Sequence, residues 1–415
     1  MGRGNFSAPE TEGFLMKKRV EDFAFFGGEK TFQTPLHIAQ VNLPPWESVT
    51  SAFRGIFERR YFANHGPIVR ELDARFAEFV GSRHAVCVTN GTIALMILAK
   101  ALASSGEVIV PSYTFPATVQ ALSWAGLTPV LCDVDPETQM VTPETIAPHI
   151  TPHTSGILAV HLWGQPCAPE SLESLAADRG ISLMFDACHS IGCAYNNRKV
   201  GNFGNGEAFS FHATKILSGG EGGCITTNDD HLAEKLRTIR SFHPGETFVP
   251  AALRINGKMS EAQAALALLS LEQYPQNKAA NLRRYEAYRL GLAGIPGVSL
   301  LSFDPDTDNN YQYIVLDIDE SIAGIHRDIF FKLLTAENII CRRHFYPGVH
   351  NMPPYSKMEA TVKSRFPVTD RLCQRALQLP TSQVMTEADV QMICELIRDI
   401  QAKADPIKAR VSDAP

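Results

Sequence analysis

Short apolar runs alternate with longer segments of helical periodicity through the first half of the chain. The runs predict buried strands at residues 84–89, 107–110, 129–132, 156–160, 182–185, 207–211 and 224–227. The segments between several of them predict helices at residues 93–102, 117–125 and 169–179. Strands and helices that alternate in this way indicate a mainly parallel sheet with helices on both faces.

The rest of the chain predicts an arm, two leading helices and a second unit. The leading helices are expected at residues 46–60 and 67–80. After residue 245 the pattern predicts helices at 260–271, with a continuation after Pro275 to residue 292, and at 327–337 and 387–400, a strand at 311–317 and a less regular stretch at 360–371. We therefore expect an α/β protein with an N-terminal arm (1–45), a large domain (46–245), a smaller α/β domain (246–403) and a loose polar tail (404–415).

Composition and charge narrow the class of protein. The 415 residues carry a formal net charge of −6, which disfavours nucleic acid as a partner. No run of about 20 apolar residues predicts a membrane span, and no signal-peptide pattern opens the sequence. The nine cysteines are scattered without a Cys-x-x-Cys pair, so we expect buried thiols in a cytoplasmic protein rather than disulfides or a metal site.

One lysine lies at the end of a predicted strand. The apolar run 208–211 stops at a polar turn that carries Lys215, and a glycine-rich loop then leads to the strand at 224–227. Schiff-base chemistry requires an amine that is held near a carbonyl and partly desolvated, so that it loses its proton. A solvated surface lysine is the alternative interpretation of this residue taken alone.

Further candidates also follow predicted strands, where ligands of parallel sheets bind. Gly91 and Thr92 open a helix whose free N–H groups suit an anion, although an ordinary capped helix has the same pattern. Phe115 is placed to stack on a planar cofactor, or else to pack in the core. Asp186 would be nearly buried and would need a strong donor such as a pyridinium N–H, with His189 on the same side of the next turn. A helix N-cap is the alternative role for Asp186.

An aromatic, basic loop follows the helix at 327–337. Arg342, His344 and Tyr346 are candidates for lining a substrate pocket, or for a packed loop. Guanidinium groups such as those of Arg342 and Arg343 form bidentate contacts with a diphosphate or a carboxylate, although both could equally be solvated. The sequence contains no metal-ligand spacing, Walker-type glycine loop or Ser-His-Asp arrangement.

Pyridoxal 5'-phosphate makes four kinds of contact with the proteins that bind it. Its phosphate lies in a loop at a helix N-terminus, an aromatic side chain stacks on its ring, an aspartate pairs with its ring nitrogen, and a lysine binds it covalently. The candidate residues above supply one group for each contact. The sequences of these motifs and their order along the chain resemble those of the aspartate-aminotransferase-like enzymes of fold type I. More narrowly, they resemble those of the DegT/DnrJ/EryC1/StrS family of sugar aminotransferases. The resemblance covers roughly residues 25–400. It is carried by residues 89–95 (TNGTIAL), 110–115 (VPSYTF), 161–165 (HLWGQ), 185–192 (FDACHSIG), 210–215 (SFHATK), 220–223 (GEGG) and 256–260 (NGKMS).

This resemblance implies roles for the residues around the cofactor ring. Lys215 is expected to form the internal aldimine and to carry the proton between carbon atoms. Asp186 is expected to keep the pyridine nitrogen protonated, which makes the ring an electron sink. His189 is expected beside the 3-oxygen of the ring, and Phe115 is expected to stack on the ring.

The resemblance also implies a phosphate site and a partner. Gly91, Thr92 and Ser210 are expected to hold the cofactor phosphate. Asn256 is expected to reach the phosphate of the neighbouring subunit, which implies a homodimer with shared active sites.

The implied activity is transfer of an amino group from glutamate or glutamine to a keto sugar. The sequence at residues 66–67, 211–215 and 256–260 is similar to that of enzymes that aminate C4 of a nucleoside-diphosphate 4-keto-6-deoxyhexose. Two departures lie near the expected substrate: LSGG at 217–220 replaces Asn-Ser-Phe of that branch, and Lys258 replaces a common arginine.

Three alternatives accompany this hypothesis. A cyclitol or another carbocyclic ketone is the alternative acceptor. A sugar dehydratase of the same fold would carry histidine in place of Lys215, and a non-enzymatic descendant would be expected to lose Lys215 or Asp186. Both residues are present, which disfavours the last two alternatives.

Overall fold

Seven strands form one large sheet in the structure, a computed structural model that describes residues 17–38, 43–103, 105–242, 253–303 and 307–412. The strands of the chain are β1 (His84–Val88), β2 (Glu107–Pro111), β3 (Thr128–Cys132), β4 (Thr154–Val160), β5 (Ser182–Asp186), β6 (Ala194–Tyr195), β7 (Arg198–Lys199), β8 (Gly206–Ser210), β9 (Gly223–Thr227), β10 (Val298–Leu300), β11 (Thr307–Asp308), β12 (Ile314–Ile318) and β13 (Ala376–Leu379). The order in the large sheet is β1-β9-β8-β5-β4-β2-β3. Only β9 runs against the other six strands, so the predicted mainly parallel mixed sheet is confirmed.

Helices connect and cover these strands. They are α1 (Trp46–Arg59), α2 (Pro67–Val80), α3 (Gly91–Leu102), α4 (Pro116–Trp124), α5 (Pro143–Ile146), α6 (Pro169–Arg179), α7 (Asp230–Arg240), α8 (Glu261–Glu272), α9 (Tyr274–Gly291), α10 (Glu320–Ala323), α11 (Arg327–Ala336), α12 (Glu359–Lys363), α13 (Pro367–Arg375), α14 (Glu387–Ala402) and α15 (Ala404–Ser412). Short 3-10 helices lie at Val20–Asp22, Ala24–Phe26, Ala147–His149, Val349–Asn351 and Tyr355–Lys357. Most predicted elements are present with nearly the predicted bounds, and α2 has the predicted bounds.

The large sheet is buried on both faces, which explains why its strands are nearly continuous apolar runs. On one face Phe76 of α2 packs edge-on against Phe209 and Phe211. On the other face α3, α4 and α7 cover the sheet, and Leu98 and Leu236 lie in the cluster there. The carboxyl ends of the parallel strands β1, β5 and β8 therefore lie at one edge of the sheet, between the two layers of helices.

A smaller unit follows, built on the antiparallel sheet β10-β12-β13. Helices α9, α11 and α14 contribute Tyr288, Phe330 and Ile397 to its core. The arm packs on this unit: Phe23 and Phe32 are buried in the same core. Buried Glu337 accepts the Ala24 N–H at 2.7 Å, among other contacts with the arm.

The structure corrects the prediction for the C-terminus. Residues 404–412 of the predicted loose tail form helix α15, and residues 413–415 lie outside the described residues. The prediction relied on polarity along the sequence, whereas Ile407 of this helix is fully buried in the core of the small unit. The predicted irregular stretch at 360–371 contains most of α12 and part of α13.

The packing of helix α8 is relevant to the predicted domain boundary between residues 245 and 246. It follows that boundary in the chain, yet Ala264 and Leu268 pack in the same cluster as Phe76 of α2 and Phe209 of the large sheet. This packing favours a later boundary, and the domain division itself stays a prediction. None of the helices in the described ranges is long and apolar enough to span a bilayer.

Candidate active site

A cavity of about 350 Å³ opens at the carboxyl ends of β1, β5 and β8. Residues of the small unit close it from the opposite side. Nine of the residues predicted from the sequence line it together, namely Gly91, Thr92, Phe115, Asp186, His189, Ser210, Lys215, Arg342 and His344. Strand order brings most of them to one place, because parallel strands deliver the residues that follow them to a common edge.

Lys215 lies on the turn that follows β8. Its backbone N–H donates to the His212 carbonyl oxygen at 2.9 Å, and its Nζ donates to the Tyr313 hydroxyl at 2.9 Å. Burial lowers the pKa of the Lys215 amine, the nearby Cys188 and Asp186 oppose this shift, and the charge of Arg342 adds to it. A lowered pKa increases the fraction of neutral amine, which is the nucleophilic and proton-accepting form.

The loop that carries Lys215 is held by one side chain of the small unit. Gln312 Oε1 accepts the Ile216 N–H at 2.8 Å, and Gln312 Nε2 donates to the Thr214 carbonyl oxygen at 2.6 Å. The amide therefore bridges the two residues that flank Lys215. This clamp restricts the directions in which the lysine side chain can leave the turn.

Asp186 ends β5 and is only 6% exposed. Its Oδ2 accepts the Thr118 hydroxyl at 2.7 Å, and its Oδ1 accepts the Cys188 N–H at 3.0 Å. The Thr118 hydroxyl in turn lies 2.9 Å from that of Thr114, which precedes the N-cap of α4. A buried carboxylate is stable only where such donors surround it, and this arrangement fixes the direction of both oxygens.

The start of α3 forms a close cradle with β8. Asn90 caps the helix by accepting the Ile93 N–H at 2.9 Å. A Cβ atom on Gly91 would lie 2.8 Å from the Cβ of Ser210 and 3.2 Å from the sulfur of Cys188, so that only glycine fits without displacing its neighbours. The N–H groups of a first helical turn lack intrahelical acceptors, and together with the Ser210 hydroxyl they suit a phosphate.

His189 lies against an aromatic wall. Its ring is 4.2 Å from that of Tyr313 and stacks on Trp163 at 5.5 Å, measured between ring centroids. Burial, with the positive charge of Lys215 adding to it, holds the pKa of His189 well below its usual value. The imidazole is therefore neutral near pH 7, and its Nδ1 atom is buried without a hydrogen-bond partner in the described part of the chain.

Phe115 and Arg342 lie at more open parts of the cavity. Phe115 is 54% exposed at the N-cap position of α4. Arg342 is exposed and pairs through its backbone with Gln378 of β13. Burial, with Arg342 and Lys215 adding to it, lowers the pKa of His344 to about 3, so His344 is neutral at the pH of most assays. Stacking of Phe115 on a cofactor ring stays a prediction.

Three predicted residues do not line this cavity. Asn256 is exposed, and its Oδ1 accepts the Lys258 Nζ at 2.6 Å. Lys258 lines a separate cavity between α2 and α7. Tyr346 is 51% exposed, and the Arg343 guanidinium carbon lies 5.1 Å from its ring centroid. None of the three therefore reaches Lys215 within one chain.

Several residues of the site were missed from the sequence. Cys188, Gln312, Tyr313 and Phe345 line the cavity, and Thr118 donates a hydrogen bond to Asp186. No signal in the sequence indicated Thr118, because its contact with Asp186 joins two segments that are far apart in the chain. Tyr313 and Gln312 lie in the predicted strand at 311–317, and nothing in that pattern indicates a contact with Lys215.

Comparison with known proteins shows which family this chain resembles. The family profile described as the DegT/DnrJ/EryC1/StrS aminotransferase family matches residues 47–398. The dTDP-4-amino-4,6-dideoxy-D-glucose transaminase of Shigella dysenteriae is 32% identical over 370 residues, which is 89% of this chain and 100% of that protein. The GDP-perosamine synthase of Vibrio cholerae is 30% identical over 343 residues, 82% of this chain and 92% of that protein.

A solved structure extends the likeness to three dimensions. The crystal structure of DesI, determined in the presence of its TDP-sugar product, superimposes with a TM-score of 0.92 at 40% identity. The match covers 95% of this chain and 100% of the DesI chain. The chain therefore belongs to the DegT/DnrJ/EryC1/StrS aminotransferase family, and it is an aminotransferase of the PLP-dependent class with fold type I.

Proposed function

We propose that this enzyme uses pyridoxal 5'-phosphate to move an amino group from glutamate, or glutamine, to a nucleoside-diphosphate 4-keto-6-deoxyhexose. The observation that carries the proposal is the amine of Lys215, which has a lowered pKa and shares one cavity with Asp186 and the start of α3. Each of these groups suits one part of the cofactor.

The residues present fit the cofactor on three observations. The glycine at position 91 lets the start of α3 approach Ser210 more closely than a residue with a Cβ atom could, which brings the helix N–H groups and the Ser210 hydroxyl together as a phosphate site requires. The buried Nδ1 of His189 has no hydrogen-bond partner among the residues that the structure describes, and it would meet the 3-oxygen of the ring. The Asp186 carboxylate has its oxygens fixed by Thr118 and Cys188, and would face the ring nitrogen. When bound, pyridoxal phosphate supplies an electron sink for the carbon that carries the amine.

Each residue then has a task of its own. Lys215 would hold the cofactor covalently and, when its amine is free, would take a proton from one carbon and return it to another. Asp186 would keep a proton on the ring nitrogen, because a carboxylate stabilises a cationic N–H beside it. The neutral imidazole of His189 adds no second positive charge beside Lys215.

We infer the class of amino-group acceptor from the names of similar proteins and from the charged residues at the cavity. The Shigella relative is named for a dTDP-4-amino-4,6-dideoxy-D-glucose, and the DesI structure was determined in the presence of its TDP-sugar product. Arg342 is an exposed cation at the cavity, available to a diphosphate or to the carboxylate of the donor. His344 beside it is neutral and offers a hydrogen-bonding group for the sugar.

The proposal includes a homodimer with shared sites in the cytoplasm. Asn256 and Lys258 lie outside their own chain's cavity, as expected of residues that serve a partner's site. Helix α1 exposes Trp46 and Phe57, large apolar side chains that a second copy would cover. All nine cysteines are free, and eight of them are buried, which suits a reducing compartment.

The decisive experiment loads the enzyme with the amine form of the cofactor and offers a panel of keto sugars and keto cyclitols. Loss of the amine-form absorbance identifies the acceptor. We expect discharge by nucleoside-diphosphate 4-keto-6-deoxyhexoses and ping-pong kinetics with glutamate. Discharge by carbocyclic ketones alone would replace the nucleotide-sugar acceptor with a cyclitol.

A further inference from the structure

The segment at residues 309–313 fastens the small unit onto the active-site loops. Asn310 Nδ2 donates to the carbonyl oxygen of His189 at 2.9 Å. Gln312 bridges the residues on either side of Lys215. Tyr313, the next residue, places its hydroxyl 2.9 Å from Lys215 Nζ. Three side chains within four positions thus contact the loops that carry His189 and Lys215.

We propose that Tyr313 is a positioning residue that receives the free amine of Lys215 each time the lysine is released from the cofactor. This inference rests on the proposed function, in which Lys215 alternates between a bound and a free amine. Among the described residues, it is the Tyr313 hydroxyl that accepts the hydrogen bond of Lys215 Nζ. The free amine would therefore return to one place between proton transfers rather than sample the cavity.

The tyrosine ring itself is held rigidly. It is 5% exposed, and it packs on the rings of His189 and Trp163 at 4.2 and 5.5 Å. Burial raises the pKa of the Tyr313 phenol well above its usual value, and the nearby Cys188 and Asp186 add to the shift. The phenol therefore stays neutral and keeps an oxygen lone pair for an ammonium donor. A fixed partner lowers the entropic cost of placing the lysine for proton transfer.

The test uses Tyr313→Phe, which keeps the ring packing and removes only the hydroxyl. Tyr311→Phe is the matched control, because it removes a phenol from the same segment, near Tyr285 and Phe303 and outside the cavity. In the amine form of the holoenzyme Lys215 is free, so trace acetylation with acetic anhydride followed by peptide mass spectrometry reports the pH midpoint of this amine.

We expect Tyr313→Phe to lower that midpoint by about half to one pH unit, since one hydrogen bond to the ammonium is lost. The first-order rate of the glutamate half-reaction should fall about ten-fold with little change in the glutamate concentration for half-saturation. The deuterium isotope effect with 2-deuterated glutamate should rise. Tyr311→Phe should match the wild type in all three measurements.

An unchanged or raised midpoint in Tyr313→Phe would overturn the inference, as would a rate equal to that of the wild type. Borohydride trapping separates this failure from failure of the proposed function. If reduction attaches the cofactor to Lys215 in both proteins while the midpoints agree, only the role of Tyr313 is lost. If the wild type shows no attachment at Lys215, the proposed function fails first.

Discussion

The hydroxyl of Thr118 donates a 2.7 Å hydrogen bond to Oδ2 of Asp186, and both residues are buried. Thr118 belongs to α4 and Asp186 to the end of β5, 68 residues further along the chain. A hydrogen bond to a charged group contributes about 1.5–3 kcal/mol. The bond therefore fixes the carboxylate that we place against the cofactor ring nitrogen.

The first prediction follows from this bond. Thr118→Val keeps the shape of the side chain and removes the donor, so the carboxylate gains freedom to rotate. We expect a roughly 10- to 100-fold lower single-turnover rate, from the energy of one such bond. Thr118→Ser should retain most of the activity, and equal rates for the Val and Ser variants would contradict the role given to Thr118.

The second prediction concerns Lys215. Purified enzyme should be yellow, and borohydride reduction followed by peptide mapping should find the cofactor on Lys215. Lys215→Ala should lose the covalent absorbance band and all turnover. Lys363→Ala, on an exposed pair with Glu359, is the control and should behave as the wild type. Transamination by Lys215→Ala at the wild-type rate would disprove the assignment.

The third prediction separates chemistry from binding at Asp186. Asp186→Asn can still accept the Thr118 hydroxyl, but a neutral amide does not stabilise a protonated ring nitrogen. We expect at least a 100-fold slower single turnover, a loss of about 3 kcal/mol or more, with the cofactor still retained on dialysis through its phosphate. The exposed Asp178→Asn variant serves as control. A near-normal single-turnover rate would remove Asp186 from the mechanism.

The fourth prediction tests shared sites. Lys215→Ala and Asn256→Ala subunits are each expected to be inactive, since each lacks one residue of every site. Random exchange between the two should restore about a quarter of wild-type activity, because half of the dimers are hybrids with one intact site each. Native mass spectrometry would verify exchange. Hybrids without activity would mean that Asn256 does not serve the partner.

The fifth prediction is a pH dependence of stability. The folded protein holds the pKa of His344 at about 3 through burial and the charges of Arg342 and Lys215, whereas the unfolded chain takes up a proton near pH 6.5. Its effect is absent above about pH 6.5, and stability is lost progressively as the pH falls from there towards 3.

At pH 5 this residue should cost about 1–2 kcal/mol of unfolding free energy relative to pH 7.5, from the difference between the two pKa values. His344→Asn should reduce the loss by that amount in urea unfolding at the two pH values. The exposed His231→Asn variant is the control. The same pH dependence in wild type and His344→Asn would show that His344 is protonated in the folded state.

Local patterns were enough to predict most of the elements and the centre of the site. The period of apolar residues in 67–80 gave the bounds of α2, because the buried face of a helix is visible along the sequence. Residues that follow β1, β5 and β8 line one cavity, because parallel strands align their ends.

Tertiary structure decided the contacts between distant segments. Tyr313 meets Lys215 across 98 residues of chain, and nothing in the sequence near either residue indicates the other. The polar segment at 404–412 becomes helical because the small unit buries Ile407, a contact that composition does not reveal. Local sequence thus determined the elements and the residues at their ends. The partners that orient those residues come from distant segments, within the large unit for Asp186 and Thr118 and across to the small unit for Lys215 and Tyr313.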